Sequence, residues 1–216
     1  LAQRLGEWVG KGPVIEEDMA LTNVGLDLLG QARLWLSYAG EVEASRTGKG
    51  RTEDELAFLR DAGAFRNVLL VEQPNGSFAE TIVRQFFFDT WHLPLLRALA
   101  QSCDPRIAEI AAKSAKEAPY HVERSGDWMI RLGAGTDESR SRMQAAVDAL
   151  WMYTGELFHA ELGSAPGLVV LMQRLEGAGS ARDAAGFEQR ARVARILGQQ
   201  QVGVAQPGRR ARTEVL

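Results

Sequence analysis

Residues 14–42 read VIEEDMALTNVGLDLLGQARLWLSYAGEV, and their spacing decides the fold. Glu17, Leu21, Val24, Leu28, Gln31, Trp35, Tyr38 and Val42 recur at alternating intervals of four and three. That period is one face of an α-helix held for about 26 residues, or about 39 Å at the standard rise. Leu34, Trp35 and Leu36 are consecutive, so the helix is apolar on more than one side.

The same period extends in both directions. Upstream, residues 1–9 read as a helical piece stopped by Gly10, Gly12 and Pro13. Downstream, 45–55 is a polar loop, 54–72 a shorter helical piece, and Pro74-Asn75-Gly76 a turn. A third long helix is predicted from Ser77 to about Ser102, on the stripe Phe78, Ile82, Gln85, Asp89, His92, Leu96, Leu99 and Cys103. Asp104-Pro105 is a cap and first-turn pair for a fourth helix reaching about Leu132. Its inward stripe is Ile107, Ala111, Ser114, Ala118, His121, Ser125, Trp128 and Leu132. A fifth helix is predicted from Thr136 or Asp137 to about Ala160, with Met143, Val147, Leu150, Thr154 and Leu157 inward. Long helices with short connections and no β pattern predict an all-α, ferritin-like up-and-down bundle over residues 1–162. Residues 163–216 hold eight glycines and eight arginines but no lysine. They read as a basic segment with weak helices near 166–176 and 183–198 and an extended end.

Composition excludes several function classes. The net charge of −3 over 216 residues argues against nucleic acid as a partner. No apolar stretch is long enough to span a membrane. A single cysteine, Cys103, rules out an internal disulfide framework, and with no signal peptide the expected location is the cytoplasm. The chain starts without methionine and in mid-pattern, so it is expected to begin inside a longer helix.

A ferritin-like metal centre needs a Glu from each of two helices and a Glu-x-x-His from each of two others. The second helix offers Leu28-x-x-Gln31 and the fourth Ala118-x-x-His121. Both have the right spacing on the inward stripe, and both lack the carboxylate. Asp89-x-x-His92 on the third helix either holds one metal or joins His121 in a hydrogen-bonded polar core. The polar core is the simpler reading, because the motif recurs by chance in helical sequence. Asp27 and Glu117 sit one position from the vacant ligand places, about 100° round their helices, and read as interhelix or surface charges. His159 reads as a helix-end residue with no ligand role. Cys103 lacks a basic activator and is no nucleophile candidate. Phe86, Phe87, Phe88 and Trp91 wrap more than one side of the third helix, so either that helix is central to its bundle or part of that surface, with Trp35, is expected to meet another subunit.

Several segments are similar to the non-catalytic C subunits of bacterial phenylacetyl-CoA epoxidases. They are QRLGEW (3–8), NVGLDLLGQARLWLSYA (23–39), LLVEQPNGSFAETIVRQFFFDTWH (69–92), KEAPYH (116–121) and ALWMYTGELF (149–158). The resemblance covers about residues 1–160 and implies a ferritin-like, non-catalytic structural subunit. It further implies a catalytic A subunit that carries the di-iron centre, a reductase supplying electrons from NADPH, and O₂-dependent ring epoxidation of phenylacetyl-CoA. No cofactor is then expected in this chain, and alone it is expected to self-associate. Pro119 inside a helix, the poor match of 163–216, and an end at Leu216 where the family adds a helix depart from the pattern. Two other readings stand beside this one: a self-sufficient metalloenzyme using Asp89, His92 and His121, and a helical interaction protein outside the pathway.

Overall fold

The computed structural model describes residues 1–158, and they form helices joined by turns. The helices are α1 (Ala2–Gly6), α2 (Ile15–Thr47), α3 (Glu53–Phe58), α4 (Leu69–Glu72), α5 (Phe78–Leu99), α6 (Pro105–Gly133) and α7 (Asp137–Trp151). Short 3₁₀ turns lie at Ala62–Ala64 and Gly155–Phe158. There is no strand among the described residues. His159 and the basic segment 163–216, with its expected weak helices, lie outside them.

Local chemistry sets the helix ends. Ser77 accepts from the Glu80 amide while the Glu80 carboxylate accepts from the Ser77 amide, a reciprocal cap that starts α5. Thr52 and Glu55 do the same for α3. Asp104 accepts from the amides of Arg106 and Ile107 at the start of α6, and Pro105 fills the first turn. Thr136 caps α7 by accepting from the Ser139 amide. Val14, before α2, has no capping side chain, but Glu16, Glu17 and Asp18 place negative charge on the first turn. Gly48 ends α2 at φ +76°, a conformation that suits glycine.

Some boundaries differ from those predicted. α2 runs to Thr47, five residues beyond its stripe, and Val42 is exposed on this last part. The 54–72 piece is divided among α3, a 3₁₀ turn and α4, because the capping box at Thr52 fixes a helix start that Leu59, already outside helical geometry, soon ends. α7 stops at Trp151, not near residue 160, where the Thr154 hydroxyl donates to the Trp151 carbonyl at 2.8 Å. α6 is one helix through Pro119, which is exposed, and α5 likewise contains Pro94. Cys103 is exposed rather than inward.

α5 is the central helix, pairing along its length with α6 and crossed by α7. One apolar cluster joins Ile82, Val83, Phe86 and Phe87 of α5 to Met129 of α6 and Met143, Val147 and Leu150 of α7. A second joins Leu5 of α1 to Leu21, Val24 and Leu28 of α2. A third holds Leu93, Leu96, Ala111 and Ala118 at the other end of the α5–α6 pair. Two of the residues named for an interface lie in the core. Phe86 and Phe87 are only 5% and 6% exposed, because α6 and α7 enclose α5 on two sides and take both rings into one core. Phe88, Trp91 and Trp35 are half-buried and pack at the edges of these clusters. Arg84 is fully buried and donates to the carbonyls of Gln73 and Pro74 at 2.8 and 3.1 Å, which fixes the Pro-Asn-Gly turn against α5.

Candidate functional site

Between the two apolar clusters of the α5–α6 pair lies a polar layer. It carries the inward polar residues that the helical spacing singled out. On α5, Asp89 is buried and both its oxygens are engaged. Oδ1 accepts from Gln85 Nε2 at 2.7 Å and Oδ2 lies 2.9 Å from Ser125 Oγ on α6. Ser125 Oγ also lies 2.8 Å from the His121 carbonyl, so its single proton has two acceptors. Burial pushes the Asp89 carboxyl up to about 6, against the opposing pull of His121, Ser125, Gln85 and Arg124. His92, one turn further along, stacks beside Phe88 and Trp91. Burial, with His121 nearby, pushes its imidazole down to about 4.

His121 faces α2. Its Nε2 meets Asp27 Oδ2 at 3.0 Å, and its Nδ1 is buried without a partner among the described residues. Gln31 donates from Nε2 to Glu117 Oε2 at 3.0 Å, and its Oε1 is buried and unpartnered. Arg124 of α6 forms an ion pair with Glu17 of α2. Asp89, His121 and Gln31 therefore do face the α2–α5–α6 interior, but they are not bonded to one another. Asp89 is tied to Gln85 and Ser125 of the predicted stripes, whereas His121 and Gln31 are tied to Asp27 and Glu117, which spacing set off them. Asp27 and Glu117 are interhelix groups as expected, yet they enter the polar layer, because a carboxylate on the flank of one helix reaches a neighbour's inward residue. Arg124 gave no signal in the stripe. Glu17 lay on the stripe of the second helix, with no partner assigned to it.

The donor set does not fit a di-iron centre. Leu28 and Ala118 are buried at the two places where carboxylates are required, and neither side chain has a donor atom. Asp89 is already saturated by Gln85 and Ser125. Among the described residues no three His, Cys, Asp or Glu side chains are grouped to hold a metal ion. What the layer can do is hold helices in register: α2 to α6 through three polar pairs, and α5 to α6 through Asp89 and Ser125.

An all-helical bundle with a polar layer between its apolar clusters has a clear kinship. The chain belongs to the phenylacetic acid catabolic protein family, which it matches over residues 1–211. Within that kinship it is similar to the C subunit of the 1,2-phenylacetyl-CoA epoxidase of Escherichia coli (strain K12), at 56% identity over 161 residues. The alignment covers 74% of this chain and 63% of that protein, so the chain spans less than two thirds of the relative's length. Among the described residues no helix is long and apolar enough to cross a membrane.

Proposed function

We propose that the chain is a non-catalytic, structural subunit of a multicomponent phenylacetyl-CoA ring epoxidase in phenylacetate catabolism. Its partner would be a catalytic, metal-bearing A subunit, with the di-iron centre in that partner and no cofactor in this chain. The observation that carries the reading is the pair Leu28 and Ala118, buried where ligating carboxylates would stand. The relative named as part of an epoxidase supports it. In this role the residues of the polar layer work by position. The Glu17–Arg124, Asp27–His121 and Gln31–Glu117 pairs fix α2 on α6. α5 is held between them and α7, giving a stiff bundle for a partner to dock on.

The test is reconstitution with the A subunit of the same complex. Epoxidation should require both chains, and iron should stay with the A subunit when the two are separated. Full activity of the A subunit without this chain would defeat the structural role. Stoichiometric iron on this chain, lost in Asp89→Ala, would establish the metalloenzyme reading instead.

A further inference from the structure

The turn before α5 carries a chemically labile pair. Asn75 is followed by Gly76, whereas the other asparagines, Asn23 and Asn67, are each followed by valine. A backbone nitrogen can attack the side-chain carbonyl carbon of a preceding asparagine. Glycine, with no Cβ, leaves that approach open, and a β-branched valine shields it. The fold requires glycine here for its own reason. Gly76 has φ +57°, and a Cβ on it would run into the Glu80 carboxylate that caps α5. The residue that the cap demands is therefore also the one that leaves Asn75 open to attack. Gly76 is exposed, so water reaches its amide, and among the described residues no hydrogen bond engages that amide.

Asn75 itself is held on every side. Its Nδ2 donates to the Arg4 carbonyl of α1 at 2.7 Å and to Oε2 of Glu7, the residue that ends α1, at 2.9 Å. Its Oδ1 accepts from Arg84 Nη2 at 2.5 Å, and its backbone carbonyl accepts from Thr81 Oγ1 at 2.9 Å. Attack turns the planar amide carbon tetrahedral and expels Nδ2, so both bonds from Nδ2 to the α1 segment must break. That segment is short. α1 has five residues, anchored by buried Leu5 and by Trp8, whose indole donates to Thr81 at 3.0 Å. Elements with few buried groups are the first to open.

We propose that Asn75 is a covalent modification site, a deamidation point that docked α1 keeps closed and that, once hydrolysed, keeps α1 undocked. The Gly76 nitrogen gives its proton to hydroxide and bonds to Asn75 Cγ. The Cγ–Nδ2 bond breaks, the nitrogen leaves with a proton as ammonia, and a succinimide ring remains. Water opens the ring at either carbonyl, giving aspartate or isoaspartate. Water enters and ammonia leaves, with no oxidant or cofactor. The new carboxylate has no hydrogen for the Arg4 carbonyl and repels the Glu7 carboxylate. It pairs instead with Arg84, whose acceptors in the intact turn are all neutral oxygens. Each change favours α1 undocked, so the step works as a one-way latch.

The experiment is incubation of the purified full chain, with peptide mapping by mass spectrometry at all three asparagines. Conversion should occur at Asn75, not at Asn23 or Asn67, and should rise in proportion to hydroxide. Trp8→Ala should convert at least about tenfold faster than wild type, with unchanged far-ultraviolet circular dichroism. That factor corresponds to a hold on α1 weaker by about 1.4 kcal/mol. Glu7→Ala, which leaves Trp8 in place, should convert about threefold faster and reads the same restraint if Trp8→Ala does not fold. Asn75→Asp should expose the bond after Arg4 to trypsin at least about tenfold faster than in wild type. Folded wild type converting as fast as the chain in urea overturns the proposal, as do equal rates in wild type and both variants. Absence of conversion at Asn75 in urea removes the site. Cleavage of Asn75→Asp at the wild-type rate removes the latch, and the proposal fails with it.

Discussion

Asp89 and His92 sit one helical turn apart and titrate in opposite directions. An unfolded aspartate titrates near 3.9 and a histidine near 6.5. Folding raises Asp89 to about 6, so its neutral form is favoured. Its contribution to stability is complete below about pH 4 and is lost as pH rises through about 6. Folding lowers His92 to about 4, so its contribution is complete above about pH 6.5 and is lost as pH falls toward 4. The two nearly cancel, and wild-type stability should be flat across this window. Asp89→Asn keeps an acceptor for Gln85 and offers Ser125 a donor, freeing the Ser125 proton for the His121 carbonyl. It should raise stability at pH 8 by up to about 3 kcal/mol, the equivalent of a two-unit shift. It should also leave a profile that falls on acidification. His92→Phe should do the reverse, rising on acidification between about pH 6 and 4. Urea titrations at several pH values check both, and a flat profile in either variant would show that the two groups do not titrate in this window. At this scale the spacing of the sequence placed Asp89 inside with its partners Gln85 and Ser125, and placed His121 inside without its partner Asp27. Side-chain reach from a helix flank, as at Asp27 and Glu117, has no counterpart in a periodic count.

Helix starts were legible because the capping chemistry is local. Ser77 with Glu80, Asp104 with Pro105, and Thr136 stand in the sequence as they act in the fold. The end of α7 was not, since the apolar period continues to Leu157 while the backbone leaves the helix at Met152. Asp104 has a second task. Its side chain also accepts from the Tyr38 hydroxyl, so the cap of α6 is tied to the C-terminal half of α2. Asp104→Ala should destabilise the chain by about 1 to 2 kcal/mol, the usual value of such a cap. Tyr38→Phe, which spares the two amide bonds, should cost less. Equilibrium denaturation ranks the two, and equal losses would mean that the tie to α2 dominates the cap. The glycines at the far end of α2 work by close approach. A Cβ on Gly40 would stand 2.0 Å from the Arg51 carbonyl oxygen, so the backbone after α2 folds directly against it.

Across the whole molecule, the sequence announced the bundle and its inward stripes. The aromatic run on α5 left two readings, a central helix or a face toward another subunit. The fold makes α5 central, and two of the rings disappear between α6 and α7, while Phe88 and Trp91 stay half-buried. Which helix becomes the centre depends on how the helices assemble, and periodicity within one helix is silent on that. Arg84 shows the same dependence on assembly. Among the described residues it forms no ion pair, and burial lowers its guanidinium to about 10, still cationic at neutral pH. It joins α5 to the turn before it through backbone carbonyls and Asn75. Arg84→Met should leave those acceptors unpaired and cost about 3 kcal/mol. Arg84→Lys should recover only part, because a single ammonium cannot reproduce the fork. Thermal melts of both variants check the order. Trp8 of α1, Phe78 of α5 and Trp128 of α6 form a continuous edge-to-face ladder, with ring centroids 5.7 and 5.1 Å apart. Trp8 is further fixed by donating from its indole nitrogen to Thr81 at 3.0 Å. Rings locked in one handed arrangement give the protein a built-in optical gauge. Near-ultraviolet dichroism and tryptophan emission will register the release of α1 from the bundle while the far-ultraviolet helix signal is still intact.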